Sequence, residues 1–161
     1  MPVSSGLNLY NMEPSKERFK RLKSLVTHPI SDDFDIDDIH WVTDRIGITD
    51  YEGCSEAVVR GYLTINVAGE IESSAQIQAD INPNKGHVKD NLNELVALID
   101  SALNSSPDQK IVVHCAMGME RSPLTVVWYL HKKLGKTLDE AYEMVMVARE
   151  STVDRRAWIN M

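Results

Sequence analysis

"KIVVHCAMGMERSPLTVV", residues 110–127, is the stretch on which the reading of the fold turns. It starts as a continuous apolar, β-branched run, the pattern of a strand buried on both faces. It ends in Ser122-Pro123 and an amphipathic stretch, and proline suits a first helical turn, where its missing N–H would be unpaired anyway. Between strand and helix stand Cys115, Gly118 and, six positions after the thiol, Arg121. A loop in that setting directs unpaired backbone N–H groups and the positive end of the helix dipole toward one point, where an anion fits. Gly118 permits a positive φ that helps successive amides turn inward, and Arg121 offers a planar fork to two oxygens of a phosphate. The same positive environment lowers a thiol from its usual pKa of about 8.5 to roughly 3.5–7.5. Cys115 is therefore expected to be a thiolate beneath a cradle for a tetrahedral dianion, placed for in-line attack on phosphorus.

Outward from this stretch, the flanking sequence alternates strands and helices. Upstream, "DIHWVT" (38–43) and "RIGIT" (45–49) alternate like short strands, "EGCSEAVVR" (52–60) suits a short helix, and "GYLTINVAG" (61–69) and "SAQIQAD" (74–80) suit two more strands. "INPNKG" is a turn, and Val88, Leu92, Leu95, Val96, Ile99 and Leu103 then fall at helical spacing. Downstream of the loop, Gly135 suits a helix C-terminal cap and "TLDE" (137–140) matches a capping box opening a last helix. This order implies the α/β class: a central, mostly parallel twisted sheet of four to five strands with helices on both faces. In such sheets ligands sit outside the carboxyl ends of the strands, which is where Cys115 falls. We expect a single domain over 31–161 preceded by an extension, 1–30, whose "PSKERFKRLKSLV" (14–26) forms a docking helix with Phe19, Leu22 and Val26 on one face. The acidic run "SDDFDIDD" (31–38), at the start of that domain, reads as a linker leading into its first strands.

Composition excludes several function classes. The net charge of −7 argues against a nucleic-acid footprint or a polybasic membrane patch, and no apolar run approaches the roughly 20 residues of a membrane span. Met1–Tyr10 has neither the basic start nor the apolar core of a signal peptide. The two cysteines are too few for a disulfide framework, and the five histidines form no metal-ligand spacing. The expectations are a reducing, cytoplasmic setting, no structural metal and no cofactor. Cys54, at a predicted helix start with no basic neighbour, reads as a packing or surface residue.

"VHCAMGMERSP" matches the H-C-x-x-G-x-x-R-[S/T] signature of the cysteine-dependent protein tyrosine phosphatases, and its Arg-Ser-Pro ending and the small size of the chain resemble the dual-specificity branch most. The resemblance in element order covers about residues 36 to 160, including the closing segment "STVDRRAWIN". It implies that Cys115 is the nucleophile, that Arg121 binds phosphate and stabilises the transition state, and that Ser122 donates a hydrogen bond to the departing thiolate. It further implies that His114 orients the loop and tunes the thiol, and that the amides of Ala116, Met117, Gly118, Met119, Glu120 and Arg121 line the cradle. Met117 and Met119 read as packing or pocket-lining residues. Glu120 departs from the family pattern by placing a negative charge in an anion-binding loop, with a cost to substrate affinity unless its side chain turns outward or braces a neighbouring loop.

The reaction also needs a carboxylic acid to protonate the leaving oxygen. In the family that aspartate lies on a loop ahead of the long helix, the place Asp80 holds here, although an aspartate before "INPN" also suits a turn. Asp90 is the reserve, and Glu70 and Glu72 rank behind it. The resemblance implies a phosphorylated protein as substrate: phosphotyrosine, and phosphoserine or phosphothreonine where the pocket is shallow, as the lack of a tyrosine-recognition loop suggests. Two other readings stay open. One is another C-x5-R oxyanion enzyme of the arsenate reductase or sulfurtransferase type, for which Cys54 is the only partner thiol; the other is a catalytically weak phosphopeptide-binding module.

Overall fold

The computed structural model describes residues 14–161. The reading of Met1–Tyr10 and the first part of the 1–30 extension lie outside the described residues. Helix α1 (Ser15–Leu22) runs into a 3-10 turn at Lys23–Leu25, and Phe19, Leu22 and Val26 pack against the core as their spacing predicts. Strands β1 (His40–Trp41) and β2 (Ile46–Thr49) form an antiparallel hairpin, followed by helix α2 (Cys54–Val59), β3 (Leu63–Asn66) and β4 (Ile77–Gln78). Helix α3 (Val88–Ser105), β5 (Ile111–His114), α4 (Arg121–Lys133), α5 (Leu138–Ala148) and a 3-10 turn at Arg156–Asn160 complete the chain.

The sheet order is β1-β2-β5-β3-β4, parallel throughout except at the β1–β2 edge. Strand β5 is central, registered between β2 (Ile48 opposite Val113) and β3 (Ile65 opposite Val113). All four of its residues are buried, as a parallel strand covered on both faces requires. The α/β architecture read from the sequence is thus the one observed. Its consequence for function is positional, because the Cys115 loop leaves the carboxyl end of the middle strand and enters α4, nine of whose residues are buried.

The acidic run 31–38 is not a solvated linker. Ile36 is buried in the core, and the backbone carbonyls of Ile36 and Asp38 are hydrogen-bonded by the deeply buried Arg149. Composition misled here because the aspartate side chains carry the hydrophilicity while the backbone makes the contact.

At the far end, Gly135 has φ +70°, the left-handed conformation expected just beyond a helix. The Thr137 side chain accepts from the Glu140 N–H at 3.1 Å and the Glu140 carboxylate accepts from the Thr137 N–H at 2.8 Å, closing the predicted capping box. Thr137→Ala should cost about 1 kcal/mol in urea unfolding, with the slope of the transition unchanged.

Candidate active site

The loop from Cys115 to Glu120 is held from behind by its carbonyls. His114 Nδ1 meets the Cys115 oxygen at 2.9 Å, the Tyr51 N–H donates to Ala116 at 3.2 Å, Arg149 Nη2 to Met117 at 2.9 Å, Arg149 Nε to Gly118 at 2.8 Å and the Val153 N–H to Met119 at 2.8 Å. Five consecutive carbonyls are therefore turned outward onto donors. With the carbonyls fixed behind the loop, amides of the same peptide units are free to face the other way, and the N–H groups of Gly118 and Ser122 act on the Cys115 sulfur. Gly118 is required twice over: its φ is +66°, and a Cβ there would lie 2.6 Å from both Arg149 Nη2 and the Thr49 carbonyl oxygen.

Arg149, which the sequence reading did not single out, is fully buried and uses all five of its N–H groups. Besides Met117 and Gly118 it donates to the carbonyls of Ile36 (2.8 Å) and Asp38 (3.3 Å) and to His40 Nδ1 (2.6 Å). An arginine can only donate, so this His40 nitrogen accepts and the ring is neutral; burial, with the Arg149 charge adding, pushes its pKa down to about 4. Burial likewise pushes Arg149 down to about 10, with the neighbouring acidic groups Asp50, Cys115, Asp37 and Asp38 opposing the shift, so it is still a cation at neutral pH. A lone arginine in the apolar run "MVMVARE" was the available signal.

Cys115 is 3% exposed, and burial by itself would raise its pKa. The Arg121 charge, the Ser122 hydroxyl and the N–H groups of Ser122 and Gly118 together outweigh burial, and the net shift is downward. Ser122 is fully buried with Oγ 3.3 Å from the sulfur. Glu120, at the N-cap of α4, makes no side-chain cap, which leaves the first amides of the helix to the site.

His114 Nδ1 faces a carbonyl that can only accept, so this nitrogen carries the proton. Nε2 then accepts from the Ser73 hydroxyl at 2.6 Å, and burial keeps the ring neutral by lowering its pKa. Ser73 is another residue the sequence reading passed over. Its hydroxyl also lies 3.8 Å from the buried Cys54 sulfur, which packs among Ser73 and Ser74 as a structural residue.

Two carboxylates near the loop are turned onto arginines. Glu120 accepts from Arg155 Nε at 2.6 Å, so its charge is directed to the C-terminal segment. Glu70 takes Arg121 Nη1 at 2.8 Å and Nη2 at 2.6 Å, occupying the fork that the sequence reading had left for phosphate; the pair holds the Glu70 carboxyl below its usual range. Asp80 Oδ1 accepts from the Gly69 N–H at 3.0 Å and Oδ2 pairs with Lys85 at 2.9 Å. Its charge acts on Arg121. Asp90 is on the exposed first turn of α3, paired with His87 at 3.9 Å. Met117 and Met119 are buried in the core cluster.

A family model described as the dual specificity phosphatase catalytic domain matches residues 54–161. The chain belongs to the dual-specificity phosphatase family. Among solved structures this phosphatase-family chain is similar to a mouse dual specificity phosphatase complexed with zinc tungstate (20% identity, TM-score 0.66, 82% of this chain and 87% of that one). It is also similar to human DUSP28 (17%, 0.63, 74% and 86%) and to the human tyrosine phosphatase-like serine/threonine/tyrosine-interacting protein (17%, 0.63, 75% and 90%). These structural likenesses show the fold. No curated protein sequence matches the chain. No helix among the described residues is long and apolar enough to cross a membrane.

Lysine at 149 would leave at least two of five acceptors without donors, so Arg149→Lys should lose about 3 kcal/mol of stability in urea unfolding. Alkylation of Cys115 by iodoacetamide should reach half its maximal rate at a pH below that of a free cysteine, and Arg121→Met should move that midpoint upward.

Proposed function

We propose that the protein is a phosphatase acting on phosphorylated protein side chains, phosphotyrosine first and phosphoserine or phosphothreonine as well, through a cysteinyl-phosphate intermediate. The observation that carries this reading is the set of five outward-pinned carbonyls, which leaves a cradle of amides over a sulfur whose pKa is lowered. In the first step the Cys115 sulfur attacks phosphorus, the bond from phosphorus to the ester oxygen breaks, and Asp80 gives that oxygen its proton. Arg121 and the amides from Ala116 to Arg121 bind the three equatorial oxygens as charge spreads over them. In the second step the Asp80 carboxylate takes a proton from water, the water oxygen attacks phosphorus, and the sulfur–phosphorus bond breaks. Ser122 keeps its proton and donates a hydrogen bond to the departing thiolate, and inorganic phosphate leaves. His114 acts as a positioning residue, tying β5 to the loop through the Cys115 carbonyl. Glu70 positions Arg121.

Two observations count against the alternatives. The Glu120 carboxylate, which would weaken anion binding if it faced inward, is paired with Arg155, and this removes the main reason to read the chain as a binding module. Cys54 lies against serine hydroxyls and Cys115 against Ser122, so a relay between thiols has no geometric support.

Hydrolysis of a small aryl phosphate tests the proposal. Cys115→Ser should abolish turnover, Arg121→Lys should lower kcat/KM by about 10²–10³, and Asp80→Asn should lower kcat by about 10²–10⁴ for poor leaving groups and remove the basic limb of the pH profile. Phosphopeptide binding by the wild-type chain without turnover would overturn the enzymatic reading, and an unchanged pH profile in Asp80→Asn would overturn the acid assignment.

A further inference from the structure

Behind the loop three carboxylates converge, and among the described residues no cation pairs with them directly. Oxygens of Asp37, Asp50 and Glu52 all lie within 4.8 Å of one another. Asp50 is fully buried: Oδ1 accepts from the Gly53 N–H at 2.7 Å, but Oδ2 has no hydrogen-bond partner among the described residues. Asp37 Oδ1 is buried and likewise unpartnered. A separate residue joins them, because Ser15, the first residue of α1, is fully buried and its Oγ faces the Asp50 carboxyl, whose pKa it lowers, with no other partner among the described residues. The Ser15 backbone N–H donates to Glu52, fixing the helix start over the cluster. A buried carboxylate oxygen short of partners is costly, and Asp37 and Asp50 oxygens of that kind, gathered with Glu52, point to a missing electrophile.

The nearby cations do not supply it. The Arg149 charge acts on Asp37 and Asp50 from a distance, but its five N–H groups are all spent on Ile36, Asp38, His40, Met117 and Gly118. Arg18, with one buried and unpartnered Nη1, acts on Tyr51. A proton shared between Asp50 and Asp37 is the other way to relieve the repulsion, and burial, with Asp37 adding, pushes the Asp50 carboxyl up to about 8. A proton shared by Asp50 and Asp37, however, leaves the Glu52 carboxylate, which is drawn to the same point, unneutralised.

We propose that Asp37, Asp50, Glu52 and the Ser15 hydroxyl form a binding site for a divalent cation, Ca²⁺ in preference to Mg²⁺, which clasps helix α1 to the loop behind the signature cysteine. The donor set is all oxygen and three of its members are carboxylates, which selects a hard cation. Four side chains of uneven depth suit the variable geometry of Ca²⁺ better than the strict octahedron of Mg²⁺. Asp37 and Glu52 also line a cleft of about 790 Å³, through which the ion enters and water completes its coordination. The clasp reaches the site because Tyr51, between two of the ligands, donates its N–H to the Ala116 carbonyl.

The full chain, stripped with EDTA, is titrated with CaCl₂ or MgCl₂ by calorimetry, with thermal melting and limited trypsin digestion followed in parallel. The expected result is one Ca²⁺ bound per chain, a melting temperature that rises with Ca²⁺ concentration, and slower cleavage at Lys16, Lys20 and Arg21 of α1. Asp50→Asn, isosteric with the protonated carboxyl, should keep the fold in EDTA and lose the response. Should that variant fail to fold, Glu52→Gln removes a ligand nearer the surface and should weaken Ca²⁺ at least tenfold. No heat and no melting shift in the wild-type chain at millimolar Ca²⁺ would overturn the proposal in favour of the shared proton. Equal binding by wild type, Asp50→Asn and Glu52→Gln would overturn the assignment of the ligands, and tighter binding of Mg²⁺ would overturn the preference for the larger ion. Each readout is independent of phosphatase turnover.

Discussion

Everything chemical in this molecule depends on where five peptide carbonyls point. A peptide unit is rigid, so the oxygen and the N–H of one unit face opposite ways, and gripping the oxygens of residues 115–119 from behind frees amides of the loop for an anion. The grip is distributed over distant parts of the chain. Tyr51 comes from the segment after β2, His114 from β5, Arg149 from the end of α5 and Val153 from the segment beyond it. A loop held on only one side could relax by rotating its peptides; one held on all sides cannot, and such preorganisation lets oriented dipoles act on charge without reorganising.

Arg149 is the member of that set with the largest energetic stake. A fully buried guanidinium is costly to desolvate, and it survives here because each of its five hydrogens has an acceptor. Two of those acceptors are carbonyls of the loop and three come from the segment 36–40, so the same cation joins the acidic N-terminal strap to the cradle. Its charge also lies within reach of the Cys115 sulfur, adding to the field of Arg121 from the opposite side.

A chain with seven excess negative charges nevertheless pairs the carboxylates nearest the loop with cations. Glu120 is drawn to Arg155, Glu70 to Arg121 and Asp80 to Lys85. Glu120 and Glu70 end differently, one drawn to the C-terminal segment and the other set against Arg121 of the loop itself. Local charge is thus decided by pairing across the fold rather than by net composition.

The contrast between what could and could not be read in advance follows from range. Strand β5, the helix behind it, the capping box of α5 and the placing of Cys115, Gly118 and Ser122 in one strand-to-helix loop are local: each rests on periodicity or on spacing within a few residues, and each was legible in "KIVVHCAMGMERSPLTVV" or "TLDE". Arg149, Ser73, the Glu70–Arg121 pair and the true use of the 31–38 segment were not, because each meets a partner tens of residues away, and a residue's type does not encode which distant carbonyl or ring it will meet. The sequence by itself determined that a thiol and a guanidinium would share one strand-to-helix loop, since a six-residue spacing is closed by the backbone alone. Only the tertiary structure decided which way the peptides of that loop face and where its acidic neighbours go, since both follow from long-range packing of segments that are free of one another until the core forms.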